Sequence, residues 1–132
     1  MTCVWDSIIQ SLTYEERALI FKNNCHNANS LAIWFKENNR PTKNVIWNKD
    51  KLHKNQIKEG IEWINNIDPN QIYNGYDCSI CDPLLLLLCE LLEIKIEHIY
   101  TGFIMFYENI RNNKRTVMFK SDGGHFSFIG TK

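Results

Sequence analysis

An almost unbroken run of leucines is the feature that most restricts how this chain can fold. Asp82 and Pro83 precede the run, which ends at Leu92 and is interrupted by Cys89 and Glu90. An aspartate N-cap followed by proline is typical of a helix start, and the leucines would surround that helix on most sides. The run is about half as long as a bilayer span requires. We therefore expect a buried helix at the centre of the core and no membrane-spanning segment.

The rest of the chain supplies enough apolar material for one core around that helix. Hydrophobic residues make up 44% of the 132 residues, which is the composition of a globular protein and the length of one domain. We therefore expect a single domain over residues 1–132. Lys+Arg and Asp+Glu are equal at 15 each, so no net positive field favours nucleic acid. Nucleic acid and membrane are excluded as expected partners, and we expect a monomer.

Hydrophobic periodicity predicts helices in the first two thirds of the chain and strands in the last third. Helical spacing or capping patterns predict helices over Cys3 to Leu12, after Thr13, after Ser30, from about Leu52 to Ile67, and from Asp82. Alternating or β-branched segments predict strands over Ile94 to Tyr100, Phe103 to Tyr107, Thr116 to Phe119 and His125 to Ile129. Helices followed by a mostly antiparallel sheet give an α+β fold.

The cysteines and the N-terminus bear on the compartment. Five cysteines is an odd number, and their scattered spacing does not form a disulfide framework. The first residues lack a basic segment ahead of an apolar stretch, so they do not resemble a secretory signal. We expect free thiols and a cytoplasmic protein. The abundance of Asn, Ile and Lys is typical of AT-rich genomes, and one interpretation is a viral protein in the host cytoplasm.

Cys3 and His125 form the candidate catalytic pair. Cys3 opens the first predicted helix, where unpaired N–H groups and the helix dipole stabilise a thiolate. His125 starts the last predicted strand, and the preceding Gly124 leaves space for a substrate backbone. The alternative interpretation is a small buried thiol and an unrelated surface imidazole. The pair predicts a cysteine hydrolase in which the imidazole removes the thiol proton.

Three segments resemble the ovarian-tumour-domain (OTU) deubiquitinases, a family of papain-like cysteine proteases. The segment from Thr2 to Ile8 resembles their nucleophile helix, and Gly124 to Phe126 resembles their Gly-His-aromatic strand. Between these, Tyr73 to Gly75 and Asp82 to Ile96 are similar to the family's loop, buried helix and core strand. The segments occur in the family's order and are spread over nearly the whole chain.

The resemblance implies a papain-like (OTU-type) fold and a thiol protease without metal or organic cofactor. The expected substrate is the C-terminal Gly-Gly tail of ubiquitin or a ubiquitin-like modifier. Cys3 would form the thioester, and His125 would act first as base and then as acid. Trp5 and Phe126 would line a narrow slot for the side-chain-free tail, although aromatic residues of this kind more often belong to the core. In a virus, such an isopeptidase would antagonise host signalling.

The chain departs from the family pattern at two positions. OTU proteins usually carry an aspartate three residues before the nucleophile, a position that the sequence does not contain. They also tend to place Asp or Asn two residues after the histidine, where this chain has Ser127. We expect the Ser127 hydroxyl to accept weakly from the His125 ring. Two alternatives stay open: a weak or inactive module that binds ubiquitin-like proteins, and a viral polyprotein-processing protease.

Cys78 and Cys81 form a single CxxC motif that raises the possibility of zinc. Cys25 and His26 are the remaining candidates for a four-ligand site, but structural zinc sites normally combine two spaced ligand pairs. Adjacent Cys and His residues are also poorly arranged for one metal. We therefore expect no bound zinc.

Overall fold

The computed structural model describes residues 3–22, 24–72, 82–122 and 124–132. Five helices lie within these ranges: α1 (Cys3–Ser11), α2 (Tyr14–Phe21), α3 (Ala28–Glu37), α4 (Lys54–Asn65) and α5 (Pro83–Leu92). The strands are β1 (Val45–Trp47), β2 (Asp50–Lys51), β3 (Lys95–Tyr100), β4 (Phe103–Asn109), β5 (Thr116–Ser121) and β6 (Phe126–Thr131).

All six strands join one mixed sheet. Their order is β2-β1-β4-β3-β5-β6, and each neighbouring pair is antiparallel except β3 and β5, which are parallel. Since β3 and β5 run in the same direction, their final residues, Tyr100 and Ser121, pair at one end of the sheet. Phe126, the first residue of β6, pairs with Ser121 at the same end. Three strand ends therefore surround the connection that carries His125.

The helices cover one face of the sheet, and α5 forms the centre of the core. Leu84, Leu85 and Leu88 of α5 are fully buried, as the leucine run predicts. Asp82 caps this helix by accepting a hydrogen bond from the backbone N–H of Leu84 at 2.9 Å. Helix α5 packs on the middle strands, whereas α1 packs on the edge strand β6.

The α+β class is confirmed, and the predicted set of strands is incomplete. A short hairpin, β1 and β2, lies between α3 and α4, a region for which the sequence analysis predicts no strand. Its two turn residues, Asn48 and Lys49, have positive φ angles and form the kind of tight turn that joins antiparallel strands. The sheet is mostly antiparallel, as predicted, and the one parallel pair among the described strands arises because β5 is inserted between β3 and β6.

The third helix begins earlier than the capping pattern predicts. Asn27, and not Ser30, is its N-cap, and the Asn27 side chain accepts a hydrogen bond from the Ser30 backbone N–H at 2.9 Å. Both residue types are good N-caps, so local preference does not distinguish them.

Within the described ranges, no helix is both long and apolar enough to cross a membrane.

Candidate active site around Cys3 and His125

Cys3 is the first residue of α1. Its side chain is partly buried and packs against the core. The backbone N–H groups of the first helical turn lack partners within the helix and are available to an anion at this end. The structure therefore has Cys3 at the start of the first helix, as the sequence predicts.

Two contacts fix the direction in which α1 crosses the edge of the sheet. The Ser7 hydroxyl donates to the carbonyl oxygen of Phe126 at 3.0 Å, which ties the middle of α1 to the first residue of β6. At the other end, Arg115 is paired with Glu16 of the following helix. Arg115 lies beside the end of β6, because Lys132 donates its backbone N–H to Thr116 at 2.9 Å. Helix α1 therefore runs alongside β6 in the same direction.

This direction brings the start of α1 to the end of the sheet that carries His125. Cys3 precedes Ser7 by four residues, so both lie on the same face of the helix and about 6 Å apart along its axis. His125 immediately precedes Phe126, the residue that Ser7 contacts. The backbones of Cys3 and His125 therefore lie at the same end of the sheet, and the described residues show no hydrogen bond between the two side chains. Catalytic hydrogen bonds are often long in unliganded enzymes and tighten when substrate binds.

His125 is exposed and follows a tight connection between β5 and β6. One carboxylate oxygen of Asp122, Oδ1, accepts the backbone N–H of Gly124 at 3.0 Å and that of His125 at 3.1 Å. The Asp122 N–H in turn donates to the His125 carbonyl at 3.0 Å. A Cβ added to Gly124 would have no heavy atom of the other described residues within 4 Å, so these residues leave the space beside this backbone open. Gly124 thus retains room for an approaching peptide.

The Asp122 carboxylate is stabilised in its ionised form. The hydrogen bond from the Gly124 N–H is the largest influence that lowers the pKa of this carboxyl below its usual value. The N–H of His125 and the nearby charges of His125 and Lys120 act in the same direction, and desolvation opposes them in part. Hydrogen bonds to the ionised form are expected to have this effect.

Trp5 and Phe126 are core residues in this structure. Each is only 2% exposed. Trp5 packs edge-on against Phe35, and Phe126 lies against His98 and Phe119 with ring centroids at 5.3 and 5.1 Å. The predicted slot lined by these two rings is therefore not formed, because apolar burial turns both toward the helix-covered face of the sheet. The interpretation of these aromatics as core residues is the one that fits.

Ser127 lies in β6 and is partly buried. Its backbone pairs with Lys120, and strand alternation turns its side chain to the face opposite Phe126. His125 precedes β6 and lies outside the strand ladder, so strand alternation does not assign its side chain to either face of the sheet. No hydrogen bond joins the Ser127 hydroxyl to the His125 ring among the described residues. The orienting role of Ser127 stays a prediction.

A buried histidine lies directly behind the candidate site. His98 is fully buried, and its Nε2 is 2.5 Å from the hydroxyl oxygen of Ser121, the residue before Asp122. The other ring nitrogen, Nδ1, has no hydrogen-bond partner in the described part of the chain. Burial lowers the pKa of His98 from 6.5 to about 4. The ring is therefore neutral at physiological pH and acts as part of the core.

The other cysteines are poor nucleophile candidates or lie outside the described residues. Cys89 is fully buried and donates to the carbonyl of Ile94, and burial raises the pKa of its thiol far above the usual value. Cys25 is exposed in the loop before α3. The motif Cys78 to Cys81 lies outside the described residues. In the described ranges, no group of three or more His, Cys, Asp or Glu side chains is placed to hold a metal ion.

Comparison of the chain with protein-family models, with curated proteins and with solved structures finds no match.

The sequence-based prediction of the site does not include two residues that lie at this end of the sheet, Asp122 and His98. Asp122 holds the backbone of His125, and His98 supports the strand end from which Asp122 emerges. The sequence contains a signal for the first, since Asp followed by two glycines is typical of a turn in which the carboxylate accepts backbone N–H groups. It contains no comparable signal for His98, whose role depends on the pairing of β3 with β5.

Proposed function

We propose that this protein is a cysteine hydrolase of the OTU type that cleaves ubiquitin or a ubiquitin-like modifier at its C-terminal Gly-Gly tail. The observation that carries the proposal is the hydrogen bond from Ser7 to Phe126 at 3.0 Å. It joins the helix that begins at Cys3 to the strand that follows His125. A thiol at a helix N-terminus near an exposed imidazole is an arrangement suited to acyl transfer.

The proposed reaction has two stages. In the first, the His125 imidazole takes the Cys3 proton, and the thiolate attacks the carbonyl carbon of the terminal glycine. The imidazolium then protonates the departing lysine amine, leaving a thioester on Cys3. In the second stage, His125 removes a proton from water, whose oxygen attacks the thioester carbonyl. The products are the modifier with a free carboxylate and the regenerated thiol.

The backbone of α1 can supply part of the oxyanion stabilisation. The N–H of Cys3 is at the start of the helix, where the dipole favours negative charge. Gly124 is suited to the substrate side because no side chain of the described residues occupies the space beside it. A modifier tail made of glycines presents little bulk of its own and can lie close to such a backbone.

The proposal is tested with fluorogenic C-terminal amides of ubiquitin and of ubiquitin-like modifiers. The wild-type protein is expected to release the fluorophore from at least one of them. Cys3→Ala and His125→Gln are expected to lower kcat/KM by at least about a thousandfold, the scale of a lost nucleophile or base. Cys25→Ser is the matched control, because Cys25 is exposed and lies in a different loop.

Two results would point elsewhere. Wild-type protein that binds a modifier in calorimetry without turnover would favour the non-enzymatic binding module. Turnover that survives Cys3→Ala would contradict the assignment of the nucleophile.

A further inference from the structure

Three hydrogen bonds connect Asp122 to the segment that carries the candidate base. Oδ1 of Asp122 accepts the N–H of Gly124 at 3.0 Å and the N–H of His125 at 3.1 Å. The Asp122 N–H donates to the His125 carbonyl at 3.0 Å. Both backbone polar groups of His125 are thus bonded to this one residue. Because His125 lies outside the strand ladder, these bonds fix the point from which its imidazole extends.

The residue before Asp122 is itself held by the core. Ser121 is 3% exposed, and its hydroxyl oxygen lies 2.5 Å from Nε2 of the fully buried His98. Its carbonyl accepts the N–H of Thr101 from the neighbouring hairpin at 3.4 Å. A side chain is positioned well only when its supporting residues are held in turn. Asp122 therefore extends from a fixed strand end, although its own side chain lies in solvent.

On the other side of His125, Phe126 is equally well fixed. Its ring packs in the core, and its carbonyl accepts the hydroxyl of Ser7. Ser7 belongs to the helix that carries Cys3, so Phe126 joins the His125 segment to that helix. The hydrogen bonds of Asp122 to Gly124 and His125 hold these two residues between the fixed Ser121 and Phe126.

We propose that Asp122 is a positioning residue for His125, holding the imidazole toward Cys3 through its hydrogen bonds to the Gly124 and His125 N–H groups. This inference rests on the proposed function, because Asp122 has a catalytic role only if Cys3 and His125 are the nucleophile and the base. The sequence suggests Ser127 for the role of orienting the histidine, and the inference assigns this role to Asp122, which precedes His125. Asp122 acts through the backbone and does not touch substrate.

The charges around Asp122 are compatible with this role. The titratable groups that act on its carboxylate are the exposed imidazole of His125 and the ammonium group of Lys120. Both favour the ionised carboxylate, as do the two backbone N–H groups that it accepts. The acceptor therefore stays ionised, and its hydrogen bonds stay charge-assisted, at neutral pH.

Two substitutions of Asp122 test whether its hydrogen-bond acceptor, Oδ1, is what positions His125. Asp122→Ala removes the acceptor, whereas Asp122→Asn keeps an oxygen in the position of Oδ1. Asp68→Ala is the matched control, because Asp68 Oδ1 accepts the N–H of Asn70 at 2.9 Å in an exposed turn after α4. If Asp122→Ala does not fold, Asp122→Ser replaces it, since a serine hydroxyl accepts such N–H groups more weakly.

The readout is the rate at which iodoacetamide alkylates Cys3, followed by peptide mapping, with the exposed Cys25 in the same molecule as internal reference. Asp122→Ala is expected to slow alkylation of Cys3 about tenfold and leave Cys25 unchanged. In Asp122→Asn, the alkylation rate of Cys3 is expected to stay within about twofold of the wild-type rate, and in Asp68→Ala it is expected to equal the wild-type rate. On a modifier substrate, the loss should appear in kcat and not in KM, because positioning of the base affects the chemical step.

Equal alkylation of Cys3 in wild type and Asp122→Ala would overturn the proposal, as would an Asp122→Asn protein as slow as Asp122→Ala. These results do not depend on a modifier substrate. Conversely, a wild-type protein with a reactive, Asp122-dependent Cys3 that hydrolyses no modifier would refute the proposed substrate and leave the positioning role standing.

Discussion

Acidification should destabilise this protein through one buried side chain, His98. The ring is fully buried, its Nδ1 has no partner within the described residues, and burial lowers its pKa from 6.5 to about 4. In the doubly protonated ring, the proton on Nδ1 would have no acceptor among the described residues. The folded state therefore resists a proton that the unfolded chain takes up readily.

The sign and size of the effect follow from that difference. Between about pH 6.5 and pH 4 the unfolded state binds the proton and the folded state does not, so the free energy of unfolding falls as the pH falls. The full effect is roughly 3 kcal/mol below pH 4, since each pKa unit corresponds to about 1.4 kcal/mol. Between about pH 7.5 and pH 5 the expected loss is roughly 2 kcal/mol.

Urea unfolding at these two pH values, followed by tryptophan fluorescence, measures the loss. His98→Gln removes the titration while leaving an amide that can bond to Ser121, so its free energy of unfolding should change with pH by about 2 kcal/mol less than that of wild type. His53→Gln is the control, because His53 is exposed at the start of α4. The reasoning is refuted if His98→Gln has the same pH dependence as wild type.

Two further substitutions test other parts of the structure. Ser127→Asn should keep the fold and raise kcat by up to about tenfold, because an amide two residues after His125 can hold the ring more firmly than a hydroxyl. Steady-state kinetics measures kcat, with Ser127→Ala as the control, and a Ser127→Asn protein whose kcat is not above that of wild type would contradict the prediction. Glu90→Ala should cost about 2 kcal/mol in urea unfolding, because the 3%-exposed carboxylate accepts the Asn44 N–H at 2.9 Å and Asn44 Nδ2 at 3.0 Å, whereas Glu90→Gln should cost less than half of that.

The sequence predicts best those elements that local interactions determine. Thr13 and Glu16 form the predicted capping box, and Asp82 with Pro83 starts the predicted central helix. In each case the stabilising contact joins residues within one turn, so a short pattern contains it. The hairpin of β1 and β2 is missed because its strands have three and two residues, and because β1 is stabilised by pairing with β4, which lies far along the chain.

The candidate site shows the same division. A local pattern predicts Cys3 at a helix start and His125 as the first residue of a strand, whereas the strand begins one residue later, at Phe126. Burial of Trp5 and Phe126 is decided by packing between α1, α3 and the sheet, which no local spacing reveals. The link from His98 through Ser121 to Asp122 requires the parallel pairing of β3 and β5, a contact between strands that are not consecutive in the chain.

The central claim is that Cys3 is the nucleophile for a modifier tail, and covalent capture tests it most directly. The wild-type protein is incubated with ubiquitin, or a ubiquitin-like modifier, carrying a C-terminal electrophile, and the adduct is measured by intact mass and peptide mapping. The account predicts one modifier per chain, attached to Cys3, and no adduct in Cys3→Ala, which should fold normally because truncation of a helix-start thiol removes little packing. An adduct on another cysteine, or the same yield from Cys3→Ala, would contradict it.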